Sequence, residues 1–188
     1  MNNMKVSFVT TNKHKFSEVQ EILAPYSIDL EHVDMEYDEN HDSSMRDIST
    51  NASRMLANKL GKAVVVEDTG LYFEAYQDFP GALPKFVFNS LGYRGILKLL
   101  DEENRGAFFL AVVAYCEPGG EPQLFEGKMK GVITDRVFDE DEDVMPYERI
   151  FALPNQEETI SRMSVAEKAA VSHRGHAFRK LGEFLSKK

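Results

Sequence analysis

The stretch VVVEDTGL, residues 64 to 71, places two carboxylates directly after three β-branched apolar residues. A continuous apolar run predicts a strand covered on both faces, and in open α/β sheets ligands lie beyond the carboxyl ends of such strands. We therefore expect this strand to end at Glu67 and Asp68. Because side chains alternate along a strand, only one of the two acids can readily face a given cleft. An acidic turn in which Asp68 caps locally is the alternative interpretation.

A second polar group follows the first predicted strand, KVSFVT, and precedes a predicted helix. Its members are Thr10, Thr11, Asn12, Lys13 and Lys15. A helix N-terminus presents unpaired N–H groups and a partial positive charge, so hydroxyls, an amide and lysines there make an anion site. The pattern G-x-x-x-x-G-K-[ST] of a P-loop is absent from the sequence. Ordinary capping by Thr11 or Asn12 beside exposed lysines is the alternative.

Basic residues cluster in EKAAVSHRGHAFRK, residues 167 to 180. If Ser172 caps the last helix, His173 and Arg174 occupy its first turn with side chains free to reach into a cleft. Cations there oppose the helix dipole, and a bound anion or a base edge would account for them. A solvated helix face is the alternative, especially for Arg179 and Lys180.

Other common chemistries find little support. The five histidines contain no H-x-x-x-H pair and Cys116 is the single cysteine, which argues against zinc. Composition does not exclude a Ser-His nucleophile, but no G-x-S-x-G elbow is present. Carboxylates at one strand end and a hydroxyl and lysine loop at another indicate Mg²⁺ held by one or two carboxylates together with substrate phosphates.

The elements that position these groups alternate between strands and helices. Strands are predicted at Lys5 to Thr10 and Ser27 to Val33, and a turn at EPGGEP predicts a hairpin across residues 106 to 133. Apolar stripes predict three helices: Phe16, Val19, Ile22 and Leu23; Ile48, Ala52, Met55, Leu56 and Leu60, with Gly61 as C-cap; and Ala177, Phe178, Leu181, Phe184 and Leu185. Gly92 separates two further helices. The pattern predicts an α/β domain with a mixed sheet over residues 1 to 188, with a possible second lobe at about 101 to 150.

Composition narrows the function. The chain has 188 residues and a net charge of −9, so nucleic acid and anionic membranes would be repelled before contact. The longest apolar run, residues 108 to 116, is far shorter than the ~20 residues of a membrane span. No signal peptide is visible, and Cys116 fits a buried strand thiol in a reducing cytoplasm. We therefore expect a cytoplasmic protein.

In this order, the three segments resemble the inosine triphosphate pyrophosphatase family, also called the Ham1-like or non-canonical purine nucleoside triphosphate pyrophosphatases. FVTTNKHK resembles the family's T-G-N-x-x-K loop, VEDTGL its E-D-[ST]-G-L segment and AEKAAVSHR its E-K-x-x-x-S-H-R signature. The FPG at Phe79 to Gly81 also fits. The resemblance covers nearly the whole chain.

The resemblance implies an α/β fold with a mixed, elongated central sheet flanked by helices, in two lobes with the active-site cleft between them. It also implies a Mg²⁺-dependent homodimeric enzyme that hydrolyses ITP, dITP and XTP to the monophosphate and pyrophosphate. Water attack at the α-phosphorus would be helped by Mg²⁺ and by Lys15 on the departing pyrophosphate.

Site residues carry over by position. Lys15 and Asp68 would be catalytic, with Asp68 binding the metal and orienting or deprotonating water. Glu39 is the best match for the second metal carboxylate, and Glu36 and Asp38 are close by. The substrate contacts implied are Thr10, Thr11, Asn12, Lys13 and Lys15 for the triphosphate, Thr69 and Lys168 for the nucleotide, and Tyr147, Glu148, His173 and Arg174 at the base.

Departures from the family pattern keep rival functions open. Thr11 replaces the loop glycine, and Met145-Pro146-Tyr147-Glu148 replaces the usual Phe-Gly-[YW]-Asp at the base. Leu83 and Pro84 stand where a Tyr-Ser pair is common. A Maf-like pyrophosphatase for pyrimidine or modified nucleotides is one rival, although the SHR segment argues against it. A nucleotide-binding sensor without turnover is the other.

Overall fold

A computed structural model of the protein describes residues 4–37 and 43–188. Within those residues the strands are β1 (Met4–Val9), β2 (Ile28–Val33), β3 (Val64–Phe73), β4 (Pro80–Gly81), β5 (Gly106–Cys116), β6 (Gln123–Ile133) and β7 (Phe151–Ala152). The α-helices are α1 (Lys13–Leu23), α2 (Met45–Leu60), α3 (Pro84–Leu99), α4 (Val165–Val171) and α5 (His173–Leu185). Short 3₁₀ turns span Ala24–Tyr26, Pro146–Arg149 and Ile160–Arg162.

The strands form one mixed sheet in the order β2-β1-β3-β5-β6-β7, with β4 paired to β3. β1 pairs in parallel with β2 and β3, whereas β3 with β4 and β6 with β7 are antiparallel. This arrangement confirms the predicted mixed α/β sheet with helices. No helix within the described ranges is long and apolar enough to cross a membrane.

The chain divides into two compact units. Unit 1 comprises Met1–Thr69, Leu110–Lys128 and Val165–Lys188, and unit 2 comprises Gly70–Phe109 and Met129–Ser164. The long strands β3, β5 and β6 each contribute residues to both units. The lobe predicted at about residues 101 to 150 overlaps both.

The start of β3 lies between two parts of the unit 1 core, one on each face of the strand. This position explains why its first residues are all apolar. Val65 packs with α1 and α5 on one face, whereas Val64 and Val66 pack with α2 on the other. All three valines are fully buried. A strand covered on both faces needs a continuous apolar run in place of an alternating one, as predicted from VVV.

The predicted helical stripes are confirmed with one exception. The apolar stripe of α1 is buried at Val19, Ile22 and Leu23, and α2 ends at Gly61 with a left-handed φ of 64°. Met55 was predicted on the buried face of α2, and this is wrong, because its side chain is 50% exposed.

Unit 2 has its own aromatic core. Phe109 packs against Tyr147 and Phe151, with ring centroids 6.4 and 4.8 Å away. α3 is broken at Gly92, whose φ of 60° and ψ of −175° are not helical, which confirms the predicted separation into two helices. β5 and β6 are sheet neighbours joined by residues 117 to 122, which confirms the hairpin.

The strand that carries the acid pair does not end at Glu67 and Asp68, and that prediction is wrong. β3 runs on to Phe73, and its far half pairs with β4 through Leu71 and Tyr72. Pairing with β4 supplies hydrogen-bond partners that keep the backbone extended beyond the acids. The pairing of β1 with β3 stops near Val65, since β1 itself ends at Val9. The acids therefore lie where β3 passes the carboxyl end of β1.

Candidate active site

The loop between β1 and α1 is fixed by its own polar groups. Asn12 caps α1, because its Oδ1 accepts a hydrogen bond from the Lys15 backbone N–H at 3.1 Å. Its own backbone N–H donates to the Thr10 Oγ1, also at 3.1 Å. The predicted capping by Asn12 is thus confirmed. Thr11 and Lys13 are exposed beside this turn, and the roles predicted for them in triphosphate binding stay predictions.

β2 holds the start of the same loop. The Thr10 backbone N–H donates to the Val33 carbonyl at 3.1 Å, and the His32 Nε2 lies 2.8 Å from the Thr10 carbonyl oxygen. Because a carbonyl only accepts, this ring nitrogen carries the proton. The His32 ring also stacks on Phe16 of α1, with centroids 4.5 Å apart. The sequence pattern gave no indication of this role for His32.

Lys15 reaches from the first turn of α1 to β3. Its Nζ donates to the Thr69 Oγ1 at 3.1 Å and lies 3.9 Å from the Glu67 Oε1. The Thr69 hydroxyl in turn donates to the same Glu67 oxygen at 2.6 Å. The Lys15 side chain is 18% exposed, so a half-buried ammonium sits at the N-terminus of a helix. The ammonium and the helix N-terminus both favour the binding of an anion.

Arg174 closes this cluster from α5. Its Nε and Nη2 donate to the two Glu67 carboxylate oxygens at 2.8 and 3.0 Å, and its Nη1 donates to the Glu18 Oε2 at 2.7 Å. Ser172 caps α5 as predicted, since its Oγ accepts from the Gly175 N–H, and it donates to the Glu18 Oε1 at 2.5 Å.

The expectation that Arg174 and His173 are free to reach into a cleft is wrong. Arg174 is only 1% exposed and His173 only 5%. A buried guanidinium must be paired, and two carboxylates from α1 and β3 supply that pairing here. The base contacts predicted for both side chains stay predictions.

The charges in this cluster reinforce one another. Burial alone would raise the pKa of Glu67, but the attraction of Arg174 and then of Lys15 outweighs it and holds that pKa far below its ordinary value. Burial would likewise lower the pKa of Arg174, and Glu67 and Glu18 raise it instead. At neutral pH both groups are fully ionised.

His173 behaves in the opposite way. Burial, reinforced by the neighbouring Arg174 charge, holds its pKa well below its ordinary value. The imidazole is therefore neutral at neutral pH and carries one N–H donor and one acceptor nitrogen. A neutral ring can donate to an oxo group without bringing a charge.

Asp68 is the acid predicted to bind a metal ion, and that role stays a prediction. Side-chain alternation puts it on the face of β3 opposite Glu67 and Thr69, and it is 8% exposed. No group of three His, Cys, Asp or Glu that could hold a metal occurs among residues 4–37 and 43–188. A Mg²⁺ ion held by one or two carboxylates together with substrate phosphates needs no such group, so Asp68 fits this type of site.

The second predicted metal carboxylate lies outside the described part of the chain. Glu39 and its neighbour Asp38 lie outside the described residues, and Glu36, the other nearby acid, is exposed. The assignment of Glu39 stays a prediction.

Tyr147 and Glu148 belong to unit 2 and are buried, at 7% and 5% exposure. The Tyr147 hydroxyl donates to the Pro84 carbonyl at 2.9 Å, and its ring makes an edge contact with Phe88. Burial raises the pKa of Tyr147 far above its ordinary value. Tyr147 is thus part of the aromatic core of unit 2 in this structure. Its role at the base, and that of Glu148, stays a prediction.

The remaining basic residues are partly structural. Lys168 lies half-buried on α4, and its predicted nucleotide contact stays a prediction. Arg179 was assigned to a solvated face as the alternative interpretation, but its guanidinium donates to the Ala169 and Ala170 carbonyls at 2.6 and 3.0 Å. These are carbonyls of α4, so Arg179 ties α5 to α4.

The fold is α/β, and in the site the N-terminus of α1, with Lys15, lies beside the two buried acids of β3. Proteins of this class are suited to ligands that carry phosphate. The sequence model described as the Ham1 family matches residues 6–184. The chain is 42% identical over 182 residues to the dITP/XTP pyrophosphatase of Methanopyrus kandleri, covering 96% of both chains, and 35% identical to that of Methanosarcina acetivorans, covering 98% of both. A HAM1 protein from Coxiella burnetii shares the fold with a TM-score of 0.80 at 23% identity, over 98% of this chain and all of that chain. This protein belongs to the Ham1 family.

The roles of two members of the cluster, Glu67 and Glu18, were not predicted from the sequence. Glu67 was noted with Asp68 as one of two acids at the predicted strand end, but no role or partner was assigned to it. Glu18 follows Lys15 by three residues. It lies within an ordinary amphipathic pattern, in which a charged residue does not indicate a role in a site. Its one local signal is a charge directly beside the buried stripe position Val19.

Proposed function

We propose that this protein is a nucleoside triphosphate pyrophosphatase that hydrolyses the non-canonical purine nucleotides dITP, XTP and ITP and so removes them from the nucleotide pool. The observation that carries the proposal is the ammonium of Lys15 at the capped N-terminus of α1, held beside the acid-bearing part of β3. Membership of the Ham1 family and the near full-length similarity to curated dITP/XTP pyrophosphatases support it.

The reaction needs little covalent chemistry from the protein. A water oxygen bonds to the α-phosphorus, the bond from that phosphorus to the α,β-bridging oxygen breaks, and pyrophosphate leaves with the electron pair. Lys15 would neutralise charge on the departing pyrophosphate, and Asp68 would orient the water and accept its proton. Thr10, Thr11, Asn12 and Lys13 would line the triphosphate.

Ham1-family pyrophosphatases are generally metal-dependent. We infer that the metal here is Mg²⁺, held by Asp68 and Glu39 together with substrate phosphates. When bound, the ion would neutralise charge that develops on the phosphate oxygens.

Preference for a 6-oxo purine would come from donors that face the oxygen. His173 and Arg174 are the two predicted donors: Arg174 donates from its Nε and both terminal nitrogens to Glu67 and Glu18, and His173 carries a neutral ring. Adenine has an amino group at this position and would leave such a donor unpaired.

Two further properties complete the proposal. We infer a homodimer, because α3 exposes Phe86 at 65% and Leu91 at 40%, and large exposed apolar side chains favour burial in an interface. We also infer a cytoplasmic location, where the nucleotide pool is found.

The test is pyrophosphate release from ITP, dITP, XTP, ATP, GTP, dUTP and dTTP, with Mg²⁺ and with EDTA. We expect release from ITP, dITP and XTP to exceed that from ATP at least tenfold, and to be abolished by EDTA and by Asp68→Asn. Asp29→Asn, which makes the same change at an exposed position of β2, serves as the matched control and should retain activity.

The rival functions give different outcomes. Faster release from dUTP or dTTP would replace the purine assignment with a Maf-like activity. Binding of ITP without release from any nucleotide would replace the enzyme with a sensor, and Asp68 would lose its catalytic role.

A further inference from the structure

The cluster described above contains an ordered series of contacts that runs from Arg174 to Lys15. Arg174 holds Glu67 through two hydrogen bonds of 2.8 and 3.0 Å. Glu67 accepts from the Thr69 hydroxyl at 2.6 Å, and Thr69 accepts from the Lys15 ammonium at 3.1 Å. Glu67 and Thr69 are two residues apart on β3, so their side chains share a face of the strand.

The direction of each hydrogen bond is fixed by the chemistry of its partners. A carboxylate only accepts and an ammonium only donates, so the Thr69 proton must point to Glu67 and a Thr69 lone pair must face Lys15. The Arg174 Nη2 lies 3.5 Å from the same hydroxyl oxygen, on its acceptor side. One donor and two acceptor positions are all that a hydroxyl offers. The Thr69 hydroxyl is thus engaged within the protein and is not available to donate to a nucleotide.

Glu67 is held rigidly enough to fix the orientation of Thr69. Its side chain is fully buried, and the two parallel hydrogen bonds from Arg174 define the plane of the carboxylate. The Arg174 guanidinium on one side and the Lys15 ammonium 3.9 Å away on the other favour the carboxylate form of Glu67, which can only accept hydrogen bonds. A neutral or rotated Glu67 would release the Thr69 hydroxyl to turn away from Lys15.

We propose that Glu67 and Thr69 are positioning residues that hold the Lys15 ammonium in place for the triphosphate, with Arg174 fixing Glu67. This inference rests on the proposed function of Lys15 as a triphosphate ligand. It assigns Thr69 to the orientation of Lys15 in place of direct contact with the nucleotide. It assigns to Glu67 a role that the neighbouring Asp68 does not share, since the two acids face opposite sides of β3.

The test is a double-mutant cycle between Thr69 and Lys15, measured as kcat/KM for ITP. Thr69→Val keeps the β-branched shape and loses the hydroxyl, and we expect it to lower kcat/KM about ten- to a hundredfold. In a Lys15→Gln background the same change should cost less than about threefold, because the group that it positions is already gone. Thr69→Ser, which restores the hydroxyl, should stay within about threefold of the original enzyme.

Two further variants distinguish a positioning role of Thr69 from a general disturbance of the structure. Thr159→Val makes the same change at a buried threonine of unit 2, whose hydroxyl lies 2.6 Å from the Ser161 Oγ, and should leave kcat/KM unchanged. Glu67→Gln should follow the pattern of Thr69→Val wherever circular dichroism shows that it is folded. The proposal is overturned if Thr69→Val costs the same factor in both backgrounds, if Thr69→Ser fails to restore activity, or if Thr69→Val has no effect.

A binding measurement distinguishes failure of the proposed pyrophosphatase function from failure of the positioning proposal. If the unaltered protein releases no pyrophosphate from any nucleotide, the same cycle is measured as the Kd for inorganic tripolyphosphate by isothermal titration calorimetry. Weaker binding by Thr69→Val that disappears in the Lys15→Gln background supports the positioning role without any turnover. Equal weakening in both backgrounds, or none in either, overturns it.

Discussion

At the scale of single residues, the site depends on charges that are buried and paired. Glu67 and Arg174 are each almost fully buried, and each would be costly to bury alone. Their pairing also explains why a sequence with a net charge of −9 carries basic residues at the start of its last helix. Arg174 at that position pairs with Glu18 of α1 and Glu67 of β3. This pairing matters more than the unfavourable interaction of a cation with the helix dipole.

His173 gives a prediction for the pH dependence of stability. Its folded pKa lies well below the ordinary value of 6.5 that applies in the unfolded chain. Between these two values the unfolded chain binds the proton and the folded protein does not, so the free energy of unfolding falls as the pH drops below 6.5. The loss should reach up to about 1.4 kcal/mol per pH unit and stop once the pH passes below the folded pKa. Urea unfolding between pH 7 and pH 5 measures it.

Variants isolate the contribution of His173 in that range. His173→Gln should remove about one proton's worth of the pH dependence, whereas the exposed His176, changed in the same way, should remove much less. Glu67 does not interfere, because its folded pKa is depressed and its contribution is lost only below its ordinary value of 4.5. An unchanged pH dependence in His173→Gln would contradict the assignment of a buried neutral ring.

At the scale of elements, the local sequence predicted most helices and strands because their signals are local. The stripe of α1, the Gly61 cap of α2 and the turn of the β5–β6 hairpin each depend on residues within one or two turns of one another. The predicted end of β3 was wrong because the second half of the strand pairs with β4. That pairing joins Leu71 to Gly81 and leaves no mark on the VVVEDTGL stretch itself.

Two glycines at helix boundaries give a prediction at this scale. Gly61 and Gly92 both have positive φ, 64° and 60°, and neither would place a Cβ within 4 Å of another atom. Their ψ values differ, because Gly61 is at 26°, in the left-handed region that asparagine tolerates, whereas Gly92 is at −175°. Gly92→Asn should therefore lower the free energy of unfolding by about 1–3 kcal/mol, and Gly61→Asn by less than about 1 kcal/mol. Chemical unfolding of both variants checks this, and equal losses would contradict the conformational explanation.

At the scale of the whole molecule, the fold and the three motifs could be predicted from the sequence, but the pairing among them could not. Glu18, Glu67 and Arg174 come from three distant parts of the chain, and no local pattern links an acid in a helix to an arginine more than 150 residues later. The sequence therefore indicated Arg174 as a site residue, but the expectation that its side chain is free was wrong. Its two acidic partners follow only from the folded arrangement.

The exposed face of α3 gives a prediction for the assembly. If Phe86 lies in a dimer interface, the unaltered protein should have twice the chain mass of 21.3 kDa, and Phe86→Ser should shift it towards the monomer. Light scattering coupled to size-exclusion chromatography measures both masses. Met55→Ser is the matched control, since Met55 is a comparably exposed apolar residue on α2 and should leave the mass unchanged. A monomeric original protein, or equal effects of both variants, would contradict the assignment.

The order of the segments in unit 1 has a consequence for the growing polypeptide. Glu18 and Glu67 leave the ribosome early, and the arginine that pairs with both is made more than one hundred residues after Glu67. Until Arg174 emerges, Glu18 lacks the guanidinium that pairs with it, and Glu67 has the Lys15 ammonium at 3.9 Å but not its two hydrogen bonds from Arg174, so burial of either carboxylate is costly. The charged centre must therefore wait for the synthesis of α5, so a chain whose translation stops before α5 cannot assemble the ion-pair cluster that its earlier segments already encode.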